Sequence, residues 1–175
     1  MSLEFIASKI ESVPDFPKPG IVFKDITPLL ADPRGLKVTA QAMAADINKQ
    51  GLKPTIIAGT ESRGFIFGVA LAEELGLGFV PVRKPGKLPR ETYSVSYDLE
   101  YGSDSLEIHT DAFSKDDQVL VVDDLLATGG TANATVELIE KTQATVCGLI
   151  FAIELIDLPG RDKLKGYEVS SLLKF

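Results

Sequence analysis

The positions of apolar residues along the chain predict alternating strands and helices. Short apolar runs, typical of strands buried on both faces, occur at 55–58, 79–82, 119–122, 145–153 and 169–173. Between several of them, apolar residues recur every three or four positions, as on the buried face of a helix. These helical stripes are Leu36, Ala40, Met43 and Ile47; Phe65, Val69, Ala72 and Leu75; and Ala132, Val136 and Ile139. The alternation predicts an α/β fold with a mostly parallel sheet flanked by helices.

Two segments depart from this alternation. Leu3, Ile6 and Ile10 predict a short N-terminal helix, and prolines at 14, 17 and 19 then interrupt regular structure before an extended piece at 21–28. We expect residues 1 to about 30 to form a small N-terminal hood. Residues 90–109 alternate polar and aromatic positions around a turn, which predicts an antiparallel flap.

Composition limits the class of protein. At 175 residues the chain is predicted to be one domain, and its formal charge of −7 argues against a nucleic-acid or anionic-membrane binder. The single cysteine, Cys147, cannot form an internal disulfide, which fits a reducing compartment. The chain has neither a leader-like start nor an apolar run of transmembrane length, so we expect a cytoplasmic protein.

The segment 119–131 carries the strongest functional pattern. Asp123 and Asp124 follow a buried strand and are expected at its end, where open α/β sheets bind their ligands. The next helix is preceded by Ala127, Thr128, Gly129, Gly130 and Thr131. Glycines let the backbone approach an anion, and the first helical turn points N–H groups at it. Carboxylates that accept from hydroxyl groups beside an anion cradle suit a ribose 5-phosphate, whereas a turn that only caps a helix is the simpler alternative.

Two other loops follow predicted strands and carry positive charge. Ser62 and Arg63, beside glycines and near a helix start, can offer backbone donors and a guanidinium fork to a diphosphate. Arg83, Lys84 and Lys87 concentrate cations in one loop of an acidic chain, which is either a solvated turn or an electrostatic clamp.

The segment V-V-D-D-L-L-A-T-G-G-T resembles the phosphoribosyl-diphosphate signature of type I phosphoribosyltransferases, and in particular that of the adenine phosphoribosyltransferase family. Similar blocks span most of the chain: P-D-F-P-K-P-G-I-V-F-K-D-I-T-P-L-L at 14–30, E-S-R-G-F-I-F-G at 61–68, V-R-K-P-G-K-L-P at 82–89 and Y-D-L-E-Y-G at 97–102.

The resemblance implies roles for individual residues. Glu61, Ser62 and Arg63 correspond to the diphosphate loop, with a non-proline cis peptide between the first two, and Arg83, Lys84 and Lys87 to further diphosphate contacts. Val22, Phe23, Lys24 and Leu126 correspond to the adenine site. Glu100 corresponds to the acid of the mobile flap and is the candidate for proton transfer, because closure could desolvate it and raise its pKa.

The implied reaction is purine salvage: adenine and 5-phosphoribosyl 1-diphosphate give AMP and diphosphate. We expect Mg²⁺ as the cofactor, held by substrate oxygens and water rather than by protein side chains. The resemblance also implies a homodimer. Two alternatives stay open: a phosphoribosyltransferase for another base, and a non-catalytic regulator with the same fold.

Overall fold

The computed structural model describes residues 2–98 and 103–175. The helices are α1 (Ser2–Ser8), α2 (Thr27–Ala31), α3 (Gly35–Gln50), α4 (Arg63–Leu75), α5 (Gly130–Lys141) and a 3₁₀ helix (Gly160–Leu164). The strands are β1 (Glu11–Pro14), β2 (Val22–Asp25), β3 (Ile56–Thr60), β4 (Gly78–Val82), β5 (Thr92–Asp98), β6 (Ser103–His109), β7 (Gln118–Leu126), β8 (Thr145–Glu154) and β9 (Val169–Lys174).

The central sheet has five strands in the order β4-β3-β7-β8-β9, and all of its pairings are parallel. The predicted α/β fold and the predicted strands are therefore confirmed. Gly51 and Gly76 adopt the left-handed conformation at the ends of α3 and α4, as predicted for helix stops.

Strand β7 separates two hydrophobic cores. Val119 and Val121 face the core that contains α5, whereas Leu120 and Val122 face the core that contains α3 and α4. All four side chains are fully buried. Because successive side chains of a strand point to opposite faces, a continuous apolar run is what a strand covered on both sides requires.

The buried face of α4 differs from the predicted stripe. Ala72 is buried as predicted, but Val69 is 50% exposed, and the largest side chains buried from this helix are Phe67 and Leu71, which lie outside the predicted stripe. Nearly every position from 64 to 72 is apolar, so the helical period alone did not distinguish the face that packs on the sheet.

Strand β7 is also longer than predicted. It does not end before the two acids but continues through Asp123 and Asp124 to Leu126, paired with β8. Its pairing with β3 stops at Val122, opposite Gly59. The acids therefore lie on a part of β7 that extends beyond the paired part of β3.

The hood and the flap are both antiparallel. In the hood, β1 pairs with β2, and Val13 is directly opposite Phe23. In the flap, β5 pairs with β6, as predicted, and backbone hydrogen bonds between Arg83 and Glu107 join it to the end of β4. Residues 99–102, with the predicted proton-transfer residue Glu100, lie outside the described residues.

No helix in the described part of the chain is long and apolar enough to span a membrane.

We expect the orientation of α4 to determine how much a substitution on each of its sides changes the free energy of unfolding. Leu71→Ala should lower the free energy of unfolding by about 2–5 kcal/mol, because it leaves a cavity under the helix. Val69→Ala, on the exposed side of the same helix, should change it by less than about 1 kcal/mol. Urea denaturation of both variants measures this, and equal losses would contradict the observed orientation of α4.

Candidate active site

Three polar loops meet at the carboxyl edge of the sheet. They follow β3, β4 and β7, which are neighbours in the sheet, so the clustering predicted from sequence is confirmed. A cavity of about 340 Å³ lies between the first and third loops. It is lined by Glu61, Ser62, Arg63, Asp123, Asp124, Leu125, Ala127 and Thr131.

The two acids of β7 have different surroundings. Asp124 is buried and accepts a charge-assisted hydrogen bond from Nε of Arg63. Asp123 is partly buried and accepts a hydrogen bond from the Asp124 amide, at 2.9 Å. A Cβ placed on Gly64 would lie 2.9 Å from Oδ1 of Asp123, so only glycine lets the start of α4 approach this carboxylate.

The pKa of Asp123 is raised well above its usual range. Burial is the main cause and the negative charge of Asp124 adds to it, while the charge of Arg63 acts in the opposite direction. A ligand that donates hydroxyl hydrogens to this carboxylate would favour its ionised form. The site is therefore arranged to gain from a polyhydroxylated ligand.

The predicted phosphate loop forms a small concavity at the start of α5. Gly129 has a φ of 77° and precedes the helix, whose first backbone bond runs from the Asn133 amide to the Gly129 carbonyl oxygen at 2.9 Å. The amides of the first helical turn precede Asn133 and therefore make no hydrogen bond within the helix. They lie at the end of the helix where the concavity is. Leu125 through Ala132, together with Asp123 and Phe151, line it. Thr128 is exposed and Thr131 partly so.

The loop after β3 contains the implied cis peptide, between Glu61 and Ser62. The Glu61 carboxylate accepts hydrogen bonds from the Lys84 amide, at 2.8 Å, and from Nε of Arg83, at 3.0 Å. The hydrogen bond from the Lys84 amide is the main reason that the pKa of Glu61 is lowered. Glu61 thus joins the two loops predicted to bind diphosphate and orients the guanidinium group of Arg83.

Lys84 faces the flap rather than this cavity. Its ammonium group donates to Asp104 and, at 3.3 Å, to the hydroxyl of Tyr97. Burial lowers the pKa of Lys84, but these hydrogen bonds outweigh it and raise the pKa overall. Lys87 is exposed in the same loop, and its charge acts on Glu61. The structure therefore pairs Arg83 with Glu61, which lines the polar cavity together with Arg63, and it connects Lys84 to the flap.

A second, more apolar cavity of about 420 Å³ lies under the hood. It is lined by Val13, Phe16, Phe23, Lys24, Asp25, Ile26, Thr27, Leu30 and Arg63. The rings of Phe16 and Phe23 meet edge to face, with centroids 5.2 Å apart. Because Arg63 lines both cavities, they are adjacent.

Two residues that the resemblance implied for adenine are not in this second cavity. Val22 is 50% exposed on β2, and Leu126 is buried and lines the phosphate concavity. Sequence reasoning missed Phe16 and Val13. The signals for them were an aromatic residue between two prolines and an apolar residue that pairs with Phe23 in the hood.

Among residues 2–98 and 103–175, no group of three or more His, Cys, Asp or Glu side chains could hold a metal ion. The carboxylates of Asp123 and Asp124 lie in a polar cavity and can accept hydrogen bonds from metal-bound water.

Comparison with known proteins agrees with this geometry. The family model of the phosphoribosyl transferase domain matches residues 28–172. An adenine phosphoribosyltransferase of Francisella philomiragia is 76% identical over 175 residues, which cover 100% of both chains. The crystal structure of adenine phosphoribosyltransferase from Thermoanaerobacter pseudethanolicus has a TM-score of 0.94 and 53% identity, covering 99% of each chain.

The adenine phosphoribosyltransferase of Saccharomyces cerevisiae, complexed with an imino-altritol bisphosphate and adenine, has a TM-score of 0.93 and 40% identity over 98% of each chain. The chain therefore belongs to the phosphoribosyltransferase family. Its likeness to adenine phosphoribosyltransferases extends over the full length, as the resemblance of the blocks predicted.

The raised pKa of Asp123 predicts a gain in stability when its charge is removed. A carboxyl group whose pKa is higher in the folded than in the unfolded state destabilises the fold progressively as the pH rises from the unfolded value of about 3.9 to the folded value, and by a constant amount at higher pH. Asp123→Asn should therefore raise Tm more at pH 8 than at pH 4, where the raised pKa costs little stability, with each kcal/mol gained worth about 2–4 °C.

Thermal unfolding at both pH values measures this effect. Asp116→Asn is the control, because it removes the same charge from an exposed position. A Tm of Asp123→Asn that is unchanged or lower at pH 8 would contradict the assignment.

Proposed function

We propose that this chain transfers the 5-phosphoribosyl group of 5-phosphoribosyl 1-diphosphate to adenine and releases AMP and diphosphate. The observation that supports this best is the pair of adjacent cavities that share Arg63. One has acids and an anion-binding loop for a sugar phosphate, and the other has aromatic walls for a flat base. The named relatives and the yeast complex with adenine support the same reaction.

In this proposal the sugar phosphate binds along the edge of the sheet. The loop 127–131 receives the 5′-phosphate on its amides and hydroxyls. Asp123 and Asp124 accept hydrogen bonds from the ribose hydroxyls, which places the anomeric carbon between the two cavities. Such hydrogen bonds to charged groups contribute about 1.5–3 kcal/mol each.

The leaving group is stabilised by cations. As the bond to diphosphate breaks, positive charge develops on the ribosyl ring and negative charge on the departing oxygen. Arg63 and Arg83 are fixed by Asp124 and Glu61, so they face the diphosphate with little reorganisation. Lys87 adds charge from the same loop, and Lys84 can do so when it leaves Asp104.

Adenine is proposed to bind under the hood. Phe23 stacks on the ring, with Phe16 at its edge, and the extended backbone near Lys24 offers a carbonyl and an amide to the pairing edge. Adenine presents an N6 donor and an N1 acceptor, whereas hypoxanthine and guanine present the reverse polarity. A backbone pair that matches one polarity leaves the other unpaired.

Mg²⁺ is proposed to be carried in by the diphosphate and ribose oxygens, with water as its remaining ligands. When bound, it neutralises part of the diphosphate charge and makes it a better leaving group. Asp123 and Asp124 are the residues that would hold its water ligands.

We also propose that the chain is a cytoplasmic homodimer. Large apolar side chains exposed on the single chain, such as Ile156 and Leu158, support burial against a second copy. The single, unpaired Cys147 fits a reducing compartment. Sedimentation equilibrium measures the mass in solution, and a monomer at micromolar concentration would contradict the dimer.

A base-specificity assay tests the reaction. The protein is incubated with 5-phosphoribosyl 1-diphosphate, Mg²⁺ and adenine, hypoxanthine, guanine, xanthine or orotate in turn. We expect AMP from adenine, and loss of activity when the metal is chelated. A higher rate with another base would select that base instead, and no product from any base would support a non-catalytic regulator.

A second experiment tests Glu100 as the residue that accepts the adenine proton. Glu100→Gln should lower kcat by about 10²–10⁴ and leave AMP affinity nearly unchanged, because glutamine keeps the size of the side chain but not its basicity. The acidic limb of the pH–rate profile should disappear with it. Glu91→Gln, in the same part of the chain, is the control.

Turnover of Glu100→Gln near the wild-type value, measured by single-turnover kinetics, would rule out this assignment. A parallel change of KM and kcat with the acidic limb retained would instead indicate a role in flap movement.

A further inference from the structure

The backbone of the 3₁₀ helix lies directly against the phosphate loop. A Cβ placed on Gly129 would lie 2.4 Å from the Gly160 carbonyl oxygen, and one placed on Gly160 would lie 2.4 Å from the Ala127 carbonyl oxygen. Both distances are far inside van der Waals contact. The two backbones therefore touch, and there is no room for a side chain between them.

Arg161, the next residue, anchors this helix to the end of the sheet. Its Nε and Nη2 groups donate to the two carboxylate oxygens of Glu154, the second at 2.8 Å. Its Nη1 group donates to the carbonyl oxygen of Val169 at 2.9 Å. A forked contact of this kind fixes the direction of the guanidinium group as well as its position.

Glu154, which accepts these hydrogen bonds, is itself fixed by its surroundings. Glu154 is 5% exposed at the end of β8 and also accepts a hydrogen bond from the Ser171 hydroxyl. The hydrogen bond from Arg161 is the main reason that the pKa of Glu154 is lowered. Removal of Arg161 would leave a buried carboxylate without its main partner.

The anchor is connected to the other side of the phosphate loop as well. Glu154 pairs with Leu126 in the sheet, and the Leu155 amide donates to the Leu126 carbonyl oxygen at 3.0 Å. Leu126 is the residue immediately before Ala127. The first residue of the loop thus follows a residue that is bonded to β8, and Gly160 packs against the side of the loop.

We propose that Arg161 is a positioning residue for the phosphate loop. Through its fork to Glu154 it holds Gly160 against Ala127 and Gly129, and this contact keeps the loop amides directed at the 5′-phosphate. The proposal rests on the proposed function in one respect, since it takes the 5′-phosphate of the nucleotide as the ligand of this loop.

The test compares the affinity of AMP with that of adenosine, which differs only by the phosphate. Arg161→Gln should weaken AMP binding about tenfold and leave adenosine binding within twofold. Arg161→Lys, which keeps the charge but not the fork, should fall between Arg161→Gln and the wild type. Calorimetry or ligand-detected NMR gives both affinities, and thermal unfolding shows that each variant is folded.

Two further variants sharpen the test. Gly160→Ala introduces the Cβ that clashes with the Ala127 carbonyl and should reproduce the selective loss of AMP affinity. Lys165→Gln is the matched control, because it removes a cation from the exposed pair with Asp162 in the same segment. It should change neither affinity.

Unchanged AMP affinity in Arg161→Gln and Gly160→Ala, or an equal loss of both ligands, would overturn the proposal. If Arg161→Gln does not fold, Arg161→Lys decides by the same ratio. Because binding is measured without turnover, this outcome is separate from the base-specificity assay. A wild type that forms no AMP but binds it more tightly than adenosine would contradict the enzyme and leave the positioning role intact.

Discussion

The charge of two neighbouring carboxylates at the far end of β7 is the constraint on which the site depends. Charged groups that are removed from water need partners, and adjacent acids repel each other. Arg63 meets this need for Asp124 from the start of α4, and the absence of a side chain at Gly64 lets that helix come close enough. Within residues 2–98 and 103–175 no cation pairs with Asp123, so burial and the charge of Asp124 raise its pKa, and a hydroxylated ligand would favour its ionised form.

The same pairing connects the two cavities. Arg63 is held by its ion pair with Asp124, and it lines both the polar cavity and the apolar cavity under the hood. Glu61 does the same for Arg83, with the Lys84 amide as a second donor. Asp124 and Glu61 thus each orient an arginine that belongs to another segment of the chain.

Backbone packing, rather than charge, restrains the loop 127–131. A loop that binds a phosphate through amide groups must keep their directions, although its glycines make it flexible in isolation. The packing of Gly160 on the loop 127–131 limits that freedom. The forked contact between Arg161 and Glu154 holds the 3₁₀ helix at the end of β8.

The sequence alone determined the elements and the chemistry available to each loop, because both depend on residues close together in the chain. Apolar runs and helical periods predicted the strands and helices of the sheet, Gly51 and Gly76 predicted helix ends, and residues 123–131 predicted acids beside an anion loop. Only the tertiary structure decided the contacts between distant segments.

It buried Leu71 rather than Val69, since a helix that is apolar nearly all round is oriented by the sheet it packs on. It directed Lys84 to Asp104 in the flap, and it brought Gly160 to Gly129. Such contacts follow from the order and register of the strands, and a local pattern of residues contains no information about which distant backbone will lie beside it.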